Sequence, residues 1–289
     1  MFGVKVMTTL PTSTESFSDE QVIKIDQYIN LDDQFNYDSE NEIKYKLKVS
    51  YLDKLMKYFM YKVPFENISV QNKVPIDLTL DGLYQKIITE HRGGYCYELN
   101  TFFKHYLIKK GFEAYNVSAT IITPKGRSRE DSHMSTIVCI NHEYYIADVG
   151  FGDLPVSAIP ISTANDHDIK LVNDINGKYR AIQVSDDSIL VQKEVENHFE
   201  TLYESTFKPK VIHYFKSSIE YNQVNPESIF VRQLLVTMPK PFGRVTMTHN
   251  NLTLSKAEMK NIVPVTRDNY QQLLNECFGI NIKINRLEK

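Results

Sequence analysis

The hydrophobic period of the chain changes at Gly111. Up to that residue, large apolar side chains recur at steps of three and four: Leu99, Phe102, Phe103, Tyr106 and Leu107. This spacing predicts a helix with one buried face. Lys109, Lys110 and Gly111 are typical of the last turn and the stop of such a helix. After Gly111 the period shifts towards two, which is typical of strands. The pattern therefore predicts helices followed by a sheet.

The other segments extend this order into a fold class. Their patterns predict helices near 18–30, 46–62 and 78–90, and again over 198–224. Strands are predicted near 114–123, 134–140, 144–150, 179–184 and 188–194, then two more at 231–238 and 243–248 before a last helix at 266–276. The predicted fold class is α+β, with N-terminal helices, a β-barrel-like sheet and a smaller C-terminal α/β unit.

Composition narrows the class of function. The 289 residues carry a net charge of −3, which does not favour nucleic acid or an acidic membrane surface as a partner. No apolar run approaches the roughly 20 residues that span a bilayer. Residues 1–20 lack the pattern of a secretory signal and are predicted to be poorly ordered. The three cysteines, an odd number without close pairing, indicate a reducing compartment, so a cytoplasmic location is expected. No Cys or His spacing is typical of a zinc site, so no metal is predicted.

Cys96 is the candidate nucleophile. It follows the Gly93-Gly94 turn and opens the predicted helix. The thiolate is the reactive form of cysteine, and a helix N-terminus favours negative charge. The alternative is that Cys96 is a small buried hydrophobe. Cys139 and Cys277 are interpreted as core and structural residues.

A nucleophilic cysteine needs a base and a group that orients the base. A tight turn at Asn141-His142 would make residues whose numbers sum to 283 face each other, and His133 and Asp148 would then be diagonal neighbours on one face of the sheet. An Asp at the end of the apolar segment YYIAD is costly to bury without a partner. Two alternatives stay open at this point: Asp148 caps the following loop, or a register slip of one residue separates the two side chains.

Four segments carry a family resemblance: VPFENI (63–68), RGGYCYELN (92–100), SHMSTIV (132–138) and YIADVGFGD (145–153). In their order and spacing they resemble the signature segments of the arylamine N-acetyltransferase family, bacterial type. The resemblance runs from about residue 22 to the C-terminus. It implies a helical bundle over 21–111, a β-barrel over 112–213 and an α/β lid over 214–289, after the extension of residues 1–20.

The resemblance also implies a cysteine-protease-like site. Cys96 would accept the acyl group, His133 would act as the base and Asp148 would orient it. The implied reaction is ping-pong transfer of an acetyl group from acetyl-CoA to an arylamine, an arylhydrazine or an N-hydroxyarylamine. Such an enzyme of xenobiotic metabolism is expected to act on small molecules, without a metal, nucleic acid or membrane.

Six further residues have expected roles around this site. The family pattern implies that Phe65 and Phe151 line an apolar acceptor pocket. Gly150 and Gly152 are expected to let the backbone approach CoA or the acyl group closely. Arg92 and Glu66 are expected to form a buried ion pair rather than to bind substrate.

Three other functions remain open from sequence alone. The same triad serves a CoA-independent amide synthase and a cysteine hydrolase such as a peptidase or transglutaminase. A non-catalytic binding protein with this fold is the third alternative.

Overall fold

The computed structural model describes residues 15–31, 42–165, 169–256 and 259–288. Within these ranges the helices are α1 Asp19–Tyr28, α2 Glu42–Lys62, α3 Ile68–Gln71, α4 Leu80–Tyr84, α5 Cys96–Lys109, α6 Lys216–Val224, α7 Ile229–Arg232 and α8 Tyr270–Phe278. The strands are β1 Phe65–Glu66, β2 Glu113–Thr123, β3 Gly126–Arg127, β4 His133–Ile140, β5 Glu143–Ile146, β6 Ile159–Thr163, β7 Val172–Asp174, β8 Gly177–Ser185, β9 Ser188–Val195, β10 His198–Ser205, β11 Val236–Lys240, β12 Gly243–Met247, β13 Asn251–Lys256 and β14 Met259–Pro264.

Helix α5 is the centre of the N-terminal helical part. Its predicted apolar face is fully buried, together with most of its first two turns. Phe59 of α2 and Phe17, which precedes α1, pack on Phe102 with ring centroids 5.8 and 4.9 Å apart. Gly111, with φ +83°, ends α5 as predicted. The helix of the candidate nucleophile is therefore fixed on several sides.

Residues 15–20 differ from the expectation of poor order. Ser18 accepts a hydrogen bond from the backbone N–H of Gln21 and caps α1, and Phe17 is buried. Residues 1–14, the rest of the predicted extension, lie outside the described residues. The proposed division into domains at 21, 112 and 214 stays a prediction.

Seven strands form a closed barrel, which confirms the predicted class. Its order is β2, β4, β5, β6, β8, β9 and β10, and β10 closes it by pairing with β2. β6 and β8 are parallel and the other neighbours are antiparallel. β3 and β7 add short pairs to β2 and β8.

A second sheet forms the C-terminal unit, which we call the lid. Its order is β1, β11, β12, β13 and β14, and α8 packs on it through Tyr270, Leu274 and Phe278. β1 is far from the other strands of this sheet in sequence. Its Phe65 pairs with Thr237 of β11 and also bridges to Gly94, in the turn before α5. The lid is therefore joined directly to the segment that positions Cys96.

Several predicted boundaries are wrong. The segment predicted as helix over 198–224 begins with strand β10, whose ladder partners lie on β2 and β9, so nonlocal pairing overrides the local pattern. The strand predicted over 144–150 ends at Ile146. The segment 231–238 begins in α7 and becomes strand β11 only at Val236. The lid also contains β13 and β14, which were not predicted because each is short and carries only two or three apolar residues.

Candidate active site

Cys96 is the first residue of α5 and is 3% exposed. The turn before it is held against β1, because Gly94 donates to the carbonyl of Pro64 at 3.4 Å and Glu66 donates to the carbonyl of Gly94 at 2.9 Å. A Cβ on Gly93 would lie 1.8 Å from the Pro64 carbonyl oxygen, so only glycine fits there. The predicted glycine turn thus fixes the start of the helix through a close backbone approach.

Three buried charged side chains and the partly buried Lys86 form a cluster beside this turn. Arg92 Nε and Nη2 donate to Glu66 Oε1 at 2.9 and 2.7 Å, which agrees with the expected ion pair. Lys86 Nζ lies 2.6 Å from Glu98 Oε1 and 3.7 Å from Glu66 Oε1. Glu98 also accepts from the N–H of Tyr95 at 3.1 Å. The cluster therefore ties the PFEN segment, the glycine turn and the first turn of α5 together.

The hairpin that follows has the predicted register. Ile137 pairs with Ile146 and Cys139 pairs with Tyr144, so facing numbers sum to 283. Asn141 and His142 both have positive φ, at 50° and 65°, as a tight hairpin turn requires. The ladder ends at Ile146, so Asp148 lies two residues beyond β5, in the connecting loop.

The structure brings the three predicted catalytic side chains together. His133 Nε2 lies 2.6 Å from Asp148 Oδ2, and both side chains are buried. Cys96 interacts electrostatically with His133 and contributes to the raised pKa of the imidazole. Because Nε2 is engaged with Asp148, Nδ1 is the ring nitrogen that remains for Cys96. The order Cys96, His133, Asp148 is the arrangement of a nucleophile, a base and an orienting acid.

Asp148 is held by four donors. Oδ1 accepts from Asn100 Nδ2 at 2.8 Å and from the Gly150 N–H at 2.9 Å. Oδ2 accepts from Tyr203 Oη at 3.1 Å in addition to its contact with His133. Asp148 therefore does both things that the sequence left open. Oδ1 accepts the N–H of Gly150 in its own loop, and Oδ2 pairs with His133. A buried carboxylate needs such a complete set of partners.

Asn100 and Tyr203 are site residues that the sequence reasoning missed. Asn100 follows Cys96 by four residues, so both lie on one face of α5. This spacing within RGGYCYELN is the sequence signal by which Asn100 could have been identified. Tyr203 had no local signal, because it reaches Asp148 from β10 through the closure of the barrel.

The pair has shifted protonation equilibria. Burial alone lowers the pKa of His133, but the charge and hydrogen bond of Asp148, with a contribution from Cys96, raise the pKa from 6.5 to about 10. Burial favours the neutral form of Asp148, but His133, Asn100 and the Gly150 N–H lower its pKa below 3.8. We therefore expect an imidazolium–carboxylate pair at neutral pH.

Phe151 and Phe65 have different aromatic partners. The Phe151 ring makes an edge contact with His133 at a centroid distance of 5.4 Å and packs on Tyr203 at 5.2 Å. Phe65 is buried and packs on Phe230 of α7 at a centroid distance of 6.0 Å. Both rings therefore belong to aromatic groups around the triad, and their contact with an acceptor stays a prediction.

Gly150 and Gly152 have different surroundings. A Cβ on Gly150 would lie 2.8 Å from both Cys96 Cα and Asn100 Nδ2, so glycine is needed for packing against α5. Gly152 has φ +95° and lies near Thr237 and Phe65. Their expected contact with CoA stays a prediction.

A cleft of about 870 Å³ lies between the barrel and the lid. Its walls include Phe151, Gly152, the segment 173–178 and Arg244. Cys96 and His133 do not line this cleft. Phe151 does, and because its ring contacts His133 it connects the cleft with the triad. The described part of the chain contains no group of three or more His, Cys, Asp or Glu residues that could hold a metal ion, and none of its helices is long and apolar enough to cross a membrane.

Comparisons with known proteins agree on one family. A family model described as N-acetyltransferase matches residues 48–287. The chain is 24% identical to arylamine N-acetyltransferase 2 of Mus musculus over 259 residues, which cover 82% of this chain and 89% of that protein. The structure of Mycobacterium marinum arylamine N-acetyltransferase has a TM-score of 0.79 at 21% identity, covering 92% and 97% of the two chains. An arylamine N-acetyltransferase from Bacillus cereus, described with a Cys-His-Glu triad, has a TM-score of 0.78 at 22% identity, covering 92% and 100%. The third position in this chain is Asp148.

Proposed function

Since the chain belongs to the arylamine N-acetyltransferase family, we propose that it transfers an acetyl group from acetyl-CoA to arylamines, arylhydrazines and N-hydroxyarylamines through an acetyl-Cys96 intermediate. The observation that carries this proposal is the 2.6 Å contact of His133 Nε2 with a fully hydrogen-bonded Asp148, which leaves Nδ1 of the ring for Cys96. The proposed roles are Cys96 as nucleophile, His133 as acid and base, and Asp148 as the group that orients His133.

In the first half-reaction, the Cys96 thiolate attacks the carbonyl carbon of the acetyl thioester. The imidazolium of His133 favours the thiolate form of its partner. When the tetrahedral intermediate collapses, the bond to the CoA sulfur breaks, and the proton of His133 passes to the leaving thiolate. The products of this step are acetyl-Cys96, neutral His133 and CoA.

In the second half-reaction, the amine nitrogen attacks the acetyl-Cys96 carbonyl. His133 takes a proton from that nitrogen, the carbon–sulfur bond to Cys96 breaks, and the amide leaves. An arylamine is weakly basic, so it is unprotonated at neutral pH and ready to attack. The resting thiolate–imidazolium pair is restored.

The oxyanion of both tetrahedral intermediates needs donors. The first N–H groups of a helix lack partners within the helix, and α5 begins at Cys96. We propose that the backbone N–H groups of Cys96 and Tyr97 serve as these donors. Burial of the site strengthens such interactions because water is excluded.

The cleft between barrel and lid is the proposed binding site of the acyl donor. Its volume is about 870 Å³, and Phe151 connects it with His133. Lys178, Lys193 and Arg244 line it, which suits a ligand that carries phosphates. We propose that CoA enters along this cleft with its thioester towards Cys96. On the same basis we propose that the acceptor is a small molecule and that the enzyme works in the cytoplasm.

Initial-rate kinetics test this proposal. Acetyl-CoA and 4-anisidine are varied together, and both CoA and the N-acetylated product are measured. The proposal predicts parallel double-reciprocal lines and one CoA for each amide. Intersecting lines would contradict the covalent intermediate. Hydrolysis of a peptide without any use of acetyl-CoA would instead favour the cysteine hydrolase, and amide formation from a CoA-free acyl donor would favour the amide synthase.

A further inference from the structure

One guanidinium nitrogen of Arg244, a residue of β12, is held by neighbouring oxygens, and the two other nitrogens lack hydrogen-bond partners among the described residues. Its Nη1 donates to the carbonyl of Gly152 and lies 3.4 Å from Thr237 Oγ1. Its Nε and Nη2 atoms are buried and have no hydrogen-bond partner among the described residues. The side chain is only 11% exposed. The unpartnered atoms are therefore not simply solvated.

Nε–H and Nη2–H point in the same direction from the planar guanidinium and form a two-pronged donor. This side of an arginine matches the two oxygens of a carboxylate or a phosphate. A buried guanidinium N–H without an acceptor is costly, so such a group calls for a specific explanation. Thr237 and Gly152 engage only the other nitrogen.

The nearest carboxylate is Asp153, but it does not satisfy these donors. Its Oδ1 lies 3.7 Å from Arg244 Nε, which is beyond hydrogen-bond distance, and its Oδ2 pairs with Lys193 Nζ at 2.9 Å. Asp153 is 44% exposed. A ligand anion that displaces this exposed carboxylate would reach the two donors of Arg244.

The position of Arg244 connects it with the reaction. Arg244, Gly152 and Phe151 all line the cleft, and the Phe151 ring contacts His133. Two other cations of the cleft already have close partners, since Lys193 pairs with Asp153 and Lys178 pairs with Glu194 at 2.9 Å. Arg244 is thus a partly buried cation of the cleft, with two donors that lack hydrogen-bond partners in the described part of the chain.

We infer that Nε and Nη2 of Arg244 form a binding site for a two-oxygen anion carried by one of the two substrates. This inference rests on the proposed function, because it assumes that donor and acceptor meet at the cleft. The anion has two possible sources, a phosphate of the acyl donor and a carboxylate on the acceptor, as in an aminobenzoate. Arg244 would then determine which substrates the enzyme prefers.

The test measures kcat/KM with paired substrates, one of which carries the anion and one of which lacks it. Acetyl-CoA is compared with S-acetyl-pantetheine, which lacks the phosphates, and 4-aminobenzoate is compared with 4-anisidine. The proteins are the wild type, Arg244→Gln, Arg244→Lys and the control Arg180→Gln. Arg180 is a partly buried arginine of β8 outside the cleft walls, and its guanidinium contacts Gln192 and the Phe199 ring.

We expect Arg244→Gln to lower kcat/KM at least about tenfold for the substrate that carries the anion, and to change its uncharged counterpart less than about twofold. Arg244→Lys keeps the charge but loses the planar pair of donors, so it should show the same selective loss. If thermal unfolding shows that Arg244→Gln does not fold, Arg244→Lys is compared with the wild type instead. Arg180→Gln should show no selectivity. Equal losses with every substrate, or no loss with any, would overturn the inference.

A binding measurement separates this inference from the proposed function. If the wild type transfers no acetyl group, the proposed function fails, and calorimetric titration with pyrophosphate and with 4-aminobenzoate decides about Arg244. Binding to the wild type that Arg244→Gln loses would support the anion site. Equal binding by both proteins, or binding by neither, would overturn it.

Discussion

Asn100 Nδ2 lies 2.8 Å from Asp148 Oδ1, so the helix that starts with Cys96 also holds the carboxylate that orients His133. The same amide group donates to the carbonyl of Met134, next to His133, at 2.7 Å. Its oxygen accepts from the N–H of Val149 at 3.1 Å. One buried side chain thus connects helix α5, strand β4 and the loop after β5, which carry the three proposed catalytic residues.

Replacing Asn100 with alanine removes one of the four donors to Asp148. A hydrogen bond to a charged group contributes about 1.5–3 kcal/mol, so we expect kcat/KM to fall about 10- to 150-fold. The measurement is acetyl transfer to 4-anisidine, normalised to folded protein by thermal unfolding. Full activity in a folded Asn100→Ala protein would show that Asp148 does not need this support.

Asp148→Asn should return His133 to its neutral form at neutral pH. Without the carboxylate, burial dominates and lowers the pKa of His133, whereas the wild-type pKa is about 10. The ring ¹⁵N shifts report the protonation of His133, which His133→Ala identifies in the spectrum. We expect a charged ring in the wild type at pH 8 and a neutral ring in Asp148→Asn. A neutral wild-type ring at pH 8 would contradict the ion pair.

The same pair should make stability depend on pH. The pKa of His133 is raised from 6.5 to about 10, so its contribution is complete below 6.5 and is lost as pH rises through about 10. The pKa of Asp148 is lowered from 3.8, so its contribution is complete above 3.8 and is lost as pH falls. The difference in unfolding free energy between wild type and Asp148→Asn should therefore be largest between these limits. A difference that grows above pH 6.5 would have the wrong sign.

Glu66→Gln tests the buried charge cluster beside the glycine turn. It leaves Arg92 buried without its carboxylate, so we expect a loss of about 3–5 kcal/mol of unfolding free energy. Urea denaturation measures this loss. The matched control is Glu20→Gln, which breaks an exposed pair with Lys24 and should leave the midpoint unchanged. Equal midpoints for wild type and Glu66→Gln would show that the cluster does not hold the turn.

Gly150→Ala should disturb Cys96 directly. The added methyl group would lie 2.8 Å from Cys96 Cα, and such overpacking costs about 1–3 kcal/mol. The loop or the start of α5 must shift, so activity per folded molecule should fall. Gly126→Ala is the comparison, because an added Cβ there meets no atom within 4 Å, although its φ of +110° brings strain. Equal activity in both variants would contradict the packing role of Gly150.

The local parts of the site could be predicted from sequence. The start of α5 at Cys96 follows from a glycine turn and a helical repeat, and the register of the β4–β5 hairpin follows from one turn dipeptide. Both depend on neighbours within about ten residues, where spacing determines geometry. Arithmetic on the hairpin predicted that His133 and Asp148 lie close together, but Asp148 reaches His133 from the loop beyond β5 rather than from the ladder.

The nonlocal parts could not be predicted in this way. Tyr203 reaches Asp148 only because β10 closes the barrel onto β2, and the segment of β10 was interpreted as helix. β1 joins a lid sheet whose other strands begin at Val236. Arg244 meets the carbonyl of Gly152 across more than ninety residues of chain. Such contacts are set by tertiary packing, which local propensity does not encode.

The most direct test of the central claim is the intact mass of the protein after mixing with acetyl-CoA alone. We predict that the wild type gains the mass of one acetyl group, that Cys96→Ala gains none, and that 4-anisidine or isoniazid removes the group as the acetylated product. No acetylation of the wild type by acetyl-CoA, or equal acetylation of Cys96→Ala, would contradict the acetyl-Cys96 mechanism.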